Sequence, residues 1–144
     1  MYIEQYTLVK NPSGNFYSFE SIGPKGRIKK MVQYHRIQGY PPHVFNLSFG
    51  DWDEAENRID DEIVTDNHDR DKILATVAAT VILFTSDFPY AVIYIEGSTP
   101  ARTRLYQMGI AKYCNFKPLN TRQWQLPTNP IKTTKSLLLK SFLT

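Results

Sequence analysis

The chain has 144 residues, of which 42% are hydrophobic and 22% charged, a composition that predicts one globular domain and excludes a disordered chain. Its formal net charge of +3 hides a segregation, because residues 51–71 carry ten acids and two arginines whereas residues 97–144 carry eight basic residues and no acid. No segment approaches the roughly 20 apolar residues that a membrane-spanning helix requires, so no association with a membrane is expected.

The first fifty residues have the composition and alternation of β-strands. Four strands are predicted here, over residues 2–9, 16–22, 27–37 and 43–49. Gly23-Pro24-Lys25-Gly26 predicts a tight turn, so the second and third strands should form a hairpin. In the fourth strand Phe45, Leu47 and Phe49 occupy every second position, which predicts one buried face.

The rest of the chain predicts a loop followed by alternating helices and strands. The acidic residues 50–67 lack a clear period and are expected to form a loop, with a short strand at most over residues 62–65. Four elements are expected next: a helix that begins after Asn67 or Asp69 and stops at Asp87-Phe88-Pro89, a strand over 90–96, a helix from Pro100 to about Tyr113, and a strand over 116–126. Pro118 places the last strand at a sheet edge.

These elements predict an α+β fold, a mixed and mainly antiparallel sheet with two helices packed on it in the order β-β-β-β-α-β-α-β. Residues 1–126 are expected to form a single domain, and residues 127–144 a C-terminal tail that is either a strand or a docked helix. Cys114 is the only cysteine, which excludes an intrachain disulfide, and the first ten residues have no secretory signal. We therefore expect a cytoplasmic protein.

Motifs with a defined chemistry are absent from the sequence. It contains no GxxxxGK[ST] or GxGxxG phosphate-binding motif, no HExxH, no paired CxxC and no GxSxG. The three histidines have no metal-ligand spacing, and residues 66–77 lack the glycine and the final glutamate of a calcium loop. We therefore predict no cofactor and no metal site, and the sequence nominates no catalytic residue.

The strongest candidate site is the segment from Gly97 to Tyr106. It predicts a turn that starts a helix directly after a buried strand, a geometry that binds anions. Arg102 and Arg104 lie near the helix start, where a cation opposes the helix dipole unless a negative group is nearby. The predicted ligand-binding residues are Gly97, Ser98, Thr99, Arg102, Arg104 and Tyr106, with Lys30 and Lys72 as helpers.

Two interpretations of these arginines stay open. In the first, a phosphate, a nucleotide or a nucleic-acid backbone supplies the negative charge, and the protein is a small anion-binding protein. In the second, carboxylates within the fold supply it, with Asp51, Asp66 and Asp69 as possible partners. An alternative function is a non-catalytic interaction module, in which the basic C-terminal third binds the acidic segment of a partner protein or of a second copy.

Four stretches form a further pattern: Gly23-Pro24-Lys25-Gly26 with Lys30, residues 45–51, Asp66-Asn67-His68-Asp69 with Lys72, and Gly97-Ser98-Thr99 with residues 101–106. With these stretches the chain resembles an uncharacterised family of bacterial domains of unknown function. The resemblance supports one domain and implies no known activity. Small proteins of this kind often serve in toxin–antitoxin or defence gene pairs, which would provide a protein partner for the acidic segment.

A second similarity concerns Leu105-Tyr106-Gln107-Met108-Gly109-Ile110. This stretch and the order of the predicted elements are similar to those of acyl-CoA N-acetyltransferases, which implies a shared topology and, as a further alternative, a transferase. The glycine-rich pyrophosphate loop of those enzymes would precede the helix that starts near residue 70. Asp66-Asn67-His68-Asp69-Arg70 stands there instead.

Overall fold

The computed structural model describes residues 4–38, 43–60, 66–95, 99–113, 116–119 and 137–141. Eight strands and two helices lie within this part of the chain. In chain order they are β1 (Val9–Lys10), β2 (Phe16–Gly23), β3 (Gly26–Arg36), β4 (Val44–Asp53), β5 (Arg58–Asp60), α1 (Arg70–Asp87), β6 (Val92–Ile95), α2 (Pro100–Tyr113), β7 (Phe116–Leu119) and β8 (Leu137–Ser141). No helix in the described ranges is long and apolar enough to cross a membrane.

The strands form one sheet in the order β1-β2-β3-β4-β6-β8-β7, and β5 pairs with β4 beside this path. Six of the strand pairs are antiparallel, whereas β4 and β6 run parallel, with Val44 opposite Val92 and Leu47 opposite Ile95. A parallel pair needs a crossover connection, and α1 lies within it. The predicted α+β fold, with a mixed and mainly antiparallel sheet and two helices, is confirmed.

The core lies between the middle of the sheet and α1. The Tyr34 ring of β3 stacks on Phe84 of α1 with centroids 4.2 Å apart, and its hydroxyl lies 2.8 Å from the hydroxyl of Thr80. Phe45 of β4 meets Phe84 edge to face at 5.0 Å. Leu47 is fully buried in the same cluster, so the predicted apolar face of β4 does face the core.

The N-terminal segment differs from the predicted strand over residues 2–9. Of the described residues of this segment, only Val9 and Lys10 pair with β2. The backbone N–H of Tyr6 donates instead to the hydroxyl of Thr76 at 2.9 Å, and the Tyr6 ring stacks on Phe19 at 5.7 Å. The segment therefore lies between β2 and the start of α1, with a ring contact to the strand and a backbone hydrogen bond to the helix.

The predicted loop over residues 50–67 is wrong for its first half. Strand β4 continues to Asp53, and β5 pairs with it so that Trp52 lies opposite Ile59. Asn57 has a φ of 52°, and the Asp53 carboxylate accepts the N–H of Glu56 at 3.2 Å, so the connection closes in four residues. The alternative strand at residues 62–65 lies outside the described residues.

Several predicted boundaries match the structure. The turn Pro24-Lys25 joins β2 to β3, α1 ends at Asp87, and α2 begins at Pro100. Strand β7 lies at the edge of the sheet, as Pro118 predicts. Residues 137–141 form a strand rather than a helix, whereas residues 120–126 lie outside the described part of the chain.

A close approach at Gly23 attaches the β2–β3 hairpin to the start of α1. A Cβ at Gly23 would overlap the Asn67 carbonyl oxygen and lie 2.7 Å from Asn67 Cγ. Asn67 cannot retreat easily, because its buried side chain donates to the Gly26 carbonyl at 3.0 Å and accepts the N–H of Lys25 at 2.7 Å.

We therefore expect Gly23→Ala to lower the free energy of unfolding by about 1–3 kcal/mol or more, the usual cost of overpacking. The control is Gly26→Ala in the same turn. Gly26 has open space around its Cα but a φ of 86°, so its replacement should cost only about 1 kcal/mol of backbone strain. Urea denaturation measures both values. Equal losses would contradict the close approach.

Candidate functional site

A pocket opens where β4 changes its strand partner. One edge of β4 pairs with β3 as far as Asp51. The other edge pairs with β6 as far as Leu47 and with β5 from Asp51 onward. The pocket lies beside β4 between these two pairings, against the start of α1. In sheets with parallel neighbours, ligands commonly bind beyond the carboxyl ends of the strands at such a point.

The pocket has a volume of about 370 Å³, within the range of small-molecule sites. Three parts of the chain line it. Its floor is formed by Lys30, Phe49, Gly50 and Asp51; one wall by Asp66, Asn67, Asp69, Arg70, Ile73 and Leu74; and the other wall by Arg102, Leu105 and Tyr106. Most of the lining is apolar, and its charged residues are Lys30, Asp51, Asp66, Asp69, Arg70 and Arg102.

An ion pair forms the polar part of the floor. Lys30 of β3 and Asp51 of β4 are directly opposite in the antiparallel register, and Lys30 Nζ donates to Asp51 Oδ1. Their side chains are only 6% and 13% exposed. Burial removes hydration from both charges, so the pair contributes little net stability, whereas loss of one partner would leave the other charge buried and uncompensated.

Aromatic contacts hold the apolar wall in place. Phe49 stacks on Phe19 at 6.3 Å and meets the Tyr106 ring edge to face at 5.7 Å. Gly109 lets the two helices approach closely behind this wall, because a Cβ there would lie 2.8 Å from Leu74. The position of α2, and with it the width of the pocket, therefore depends on a glycine.

The start of α1 has an unusual cap. Asp69 occupies the N-cap position, but it makes no side-chain bond to the helix N–H groups. Its carboxylate instead accepts hydrogen bonds of 2.5 Å from the hydroxyls of Tyr6 and Ser21. The Asp69 side chain thus leaves the first turn of α1 uncapped, and this positive end of the helix dipole lies beside the pocket.

The sequence-predicted residues divide into those at the pocket and those away from it. Lining the pocket are Lys30, Arg102 and Tyr106 from the ligand-binding set, and Asp51, Asp66 and Asp69 from the acidic set. Lys72 lies 4.3 Å from the Tyr6 ring centroid and 3.6 Å from Glu4, outside the pocket, and Arg104 is exposed on α2. Gly97 and Ser98 lie outside the described residues.

The start of α2 offers fewer N–H groups than the sequence pattern implies. Thr99 caps the helix by accepting the N–H of Arg102 at 3.1 Å, and its carbonyl accepts the N–H of Thr103 at 2.9 Å. Pro100 has no N–H. Thr99 therefore has a structural role, and Arg102 contributes to the pocket through its side chain.

Sequence reasoning missed Arg70, Ile73 and Leu74 on α1 and Leu105 on α2 as pocket residues. The two helices contribute them with one spacing, i, i+3 and i+4, because Arg102, Leu105 and Tyr106 repeat the pattern of the α1 set. Each helix thus contributes an arginine and two apolar or aromatic residues to the lining. This repeated spacing is visible in the sequence and was the available signal.

In a comparison with known protein families, residues 2–121 match one family model. The chain belongs to DUF6934, a family of unknown function. This confirms the resemblance to a family of unknown function inferred from the sequence, and every residue that lines the pocket lies within the matched range. No curated protein and no solved structure shows significant similarity to this member of DUF6934.

Among the described residues, no group of three His, Cys, Asp or Glu side chains is placed to hold a metal ion.

Removing one charge from the floor tests how deeply the ion pair is buried. We expect Lys30→Met to lower the free energy of unfolding by about 3–5 kcal/mol, because Asp51 would stay buried without its cation. Replacing both residues, as Lys30→Met with Asp51→Leu, should restore most of this loss. Chemical denaturation measures the free energy of unfolding of both variants. A small loss for Lys30→Met would mean that water reaches Asp51 and would contradict its burial.

The hydrogen bond between Tyr6 and Asp69 predicts how the free energy of unfolding changes at alkaline pH. Burial, followed by the hydrogen bond to Asp69, raises the pKa of Tyr6 above its ordinary value. The protonated Tyr6 hydroxyl contributes fully to stability below about pH 10, which is the pKa of tyrosine in the unfolded chain. This contribution is lost as the pH rises through the higher pKa of Tyr6 in the folded protein. The unfolding free energy of the wild type should therefore fall above pH 10 more steeply than that of Tyr6→Phe. Parallel curves for the two proteins would contradict this.

Proposed function

We propose that this protein binds a small phosphate-bearing ligand, such as a mononucleotide, in the pocket between β4, α1 and α2. One observation carries the proposal: Arg70 and Arg102, from two different helices, line the same concave, largely apolar cavity beside the uncapped first turn of α1. An apolar cavity with a few charged groups is the usual form of a small-molecule site.

The arginines and the helix end beside the pocket suit a phosphate group. Guanidinium groups present N–H donors in a planar fork that matches phosphate oxygens. The first N–H groups of a helix, together with its dipole, add a second favourable environment for phosphate. Asp69 would compete with a phosphate for these N–H groups, but its carboxylate is turned toward Tyr6 and Ser21.

The shape of the site favours a small molecule over a nucleic acid. A nucleic-acid backbone is bound by a basic groove or stripe that follows several phosphates. Here the arginines line a cavity of about 370 Å³ together with Asp66 and Asp69. A single phosphate group attached to an apolar or aromatic body fits this distribution better than a polyanion does.

A second candidate is acyl transfer from a coenzyme A thioester, and the sheet order favours it. Strands β4 and β6 are parallel neighbours joined through α1, and β8 lies between β6 and β7, an arrangement in keeping with the similarity to acyl-CoA N-acetyltransferases. Coenzyme A also bears phosphates and would use the same pocket. The candidate stays second because no glycine-rich pyrophosphate loop precedes α1.

Isothermal titration calorimetry with mononucleotides and acetyl-CoA at low salt tests the proposal. We expect one of these ligands to bind with an affinity that falls as the salt concentration rises. Arg102→Gln should weaken this binding about tenfold or more, since a hydrogen bond between charged groups is lost. The matched control is Arg104→Gln on the exposed face of α2, which should leave the affinity unchanged. Equal effects of the two changes, or no binding by any ligand, would overturn the proposal.

A further inference from the structure

Lys30 keeps hydrogen-bonding capacity at the floor of the pocket. It is only 5% exposed, lines the pocket and donates one of its three N–H groups to Asp51. In the part of the chain that the structure describes, its ammonium group has no second acceptor. Because a buried donor without an acceptor has lost its hydration for no return, the remaining N–H groups indicate a molecule that the pocket takes up.

The neighbours of Lys30 leave the pocket as the source of that acceptor. Lys30 lies on the buried face of β3, and Val32 is next along this face. Its partners across the sheet are Phe19 in β2 and Asp51 in β4. Val32 and Phe19 have apolar side chains that accept no hydrogen bond, and Asp51 makes a further interaction besides the ion pair. The acceptor therefore comes from the pocket, as water in the free protein and as a ligand atom in the complex.

The ion pair favours a neutral acceptor over a phosphate at the floor. Asp51 balances the charge of Lys30, and its carboxylate would repel a phosphate oxygen placed beside the ammonium group. A carbonyl oxygen has two lone pairs and no net charge, so it can accept from Lys30 without this repulsion. The donor is charged, which makes such a bond stronger than one between neutral groups.

The wall beside the floor suits a planar ring that carries this carbonyl. Phe49 and Tyr106 meet edge to face and supply aromatic surface to the pocket. Nucleobases are planar and differ in the group that the ring carries at one position. Guanine, hypoxanthine and uracil have a carbonyl oxygen there, whereas adenine and cytosine have an amino group. An amino group only donates, and so does Lys30, so the two would be a mismatched pair.

We propose that Lys30 is a specificity-determining residue that selects ligands with a ring carbonyl. The pocket then takes GMP, IMP or UMP in preference to AMP or CMP, with the carbonyl oxygen accepting from Lys30. This inference rests on the proposed function, because the phosphate contacts bring the nucleotide to the pocket. The contact with Lys30 then separates carbonyl-bearing bases from amino-bearing ones.

Calorimetry with matched pairs of nucleotides tests the selection. IMP and AMP are one pair and UMP and CMP the other, and within each pair the base exchanges a carbonyl for an amino group. Wild-type protein should bind the carbonyl-bearing member about tenfold more tightly, the effect expected of one hydrogen bond to a charged group. GMP has the same carbonyl as IMP and should likewise bind more tightly than AMP.

Two double variants show whether Lys30 is responsible. Lys30→Met with Asp51→Leu removes the ion pair and should bind both members of each pair equally, while urea denaturation checks that the variant is folded. Lys10→Met with Asp87→Leu removes an exposed ion pair at the other end of α1 and should keep the wild-type preference. If the first variant fails to fold, the ratios measured on the wild type decide the question.

The outcomes are distinguishable. A preference for the carbonyl-bearing members that the Lys30 variant loses and the Lys10 variant keeps supports the inference. A preference that survives in the Lys30 variant overturns it, as does a preference for the amino-bearing members.

The remaining outcomes separate this inference from the proposed function. Equal binding within the pairs, still weakened by Arg102→Gln, would mean that water satisfies Lys30, and it overturns the selection but leaves the phosphate pocket standing. Binding of acetyl-CoA without binding of any mononucleotide overturns the selection alone. Absence of binding by all these compounds overturns both proposals.

Discussion

The change of partner along β4 is the constraint on which the site depends. One edge of this strand pairs with β6 up to Leu47 and with β5 from Asp51, while its other edge is occupied continuously by β3. Between the two pairings no described strand occupies this edge of β4, and the pocket lies there beside α1 and α2. The parallel register of β4 and β6 also requires a crossover, which brings the first turn of α1 to the same place. A single strand arrangement thus provides the cavity and its helix terminus.

Two buried polar clusters lie near this opening, and they differ in how far their hydrogen bonds are satisfied. Asn67 and Asp69 bond to Ser21, Gly26, Lys25 and Tyr6, which attaches the β2–β3 hairpin and the N-terminal segment to α1. Those bonds join three parts of the fold, so this cluster is structural. Lys30 retains donors that the described residues do not use. A buried donor of that kind at a pocket floor is suited to a ligand.

Most elements of the fold could be predicted from local sequence signals. The remaining elements depend on pairing between distant residues, which local signals do not show. The hairpin at Pro24-Lys25, the start of α2 at Pro100 and the edge position of Pro118 follow from the backbone properties of proline and glycine. The pairing of Trp52 with Ile59 and the contact of Tyr6 with α1 depend on distant surfaces, so the first half of the loop over residues 50–67 and the first strand were mispredicted. In the site, charge identified Lys30, Arg102 and Asp51, but only the fold brings Lys30 and Asp51 to the floor of one cavity with Arg102 in its wall.

A crystal structure of the protein grown with GMP tests this account most directly. It should contain the nucleotide in the cavity between β4, α1 and α2, with the phosphate beside Arg102 and the first turn of α1. A nucleotide bound instead at the start of α2, or a cavity that stays without the nucleotide at saturating concentration, would contradict it.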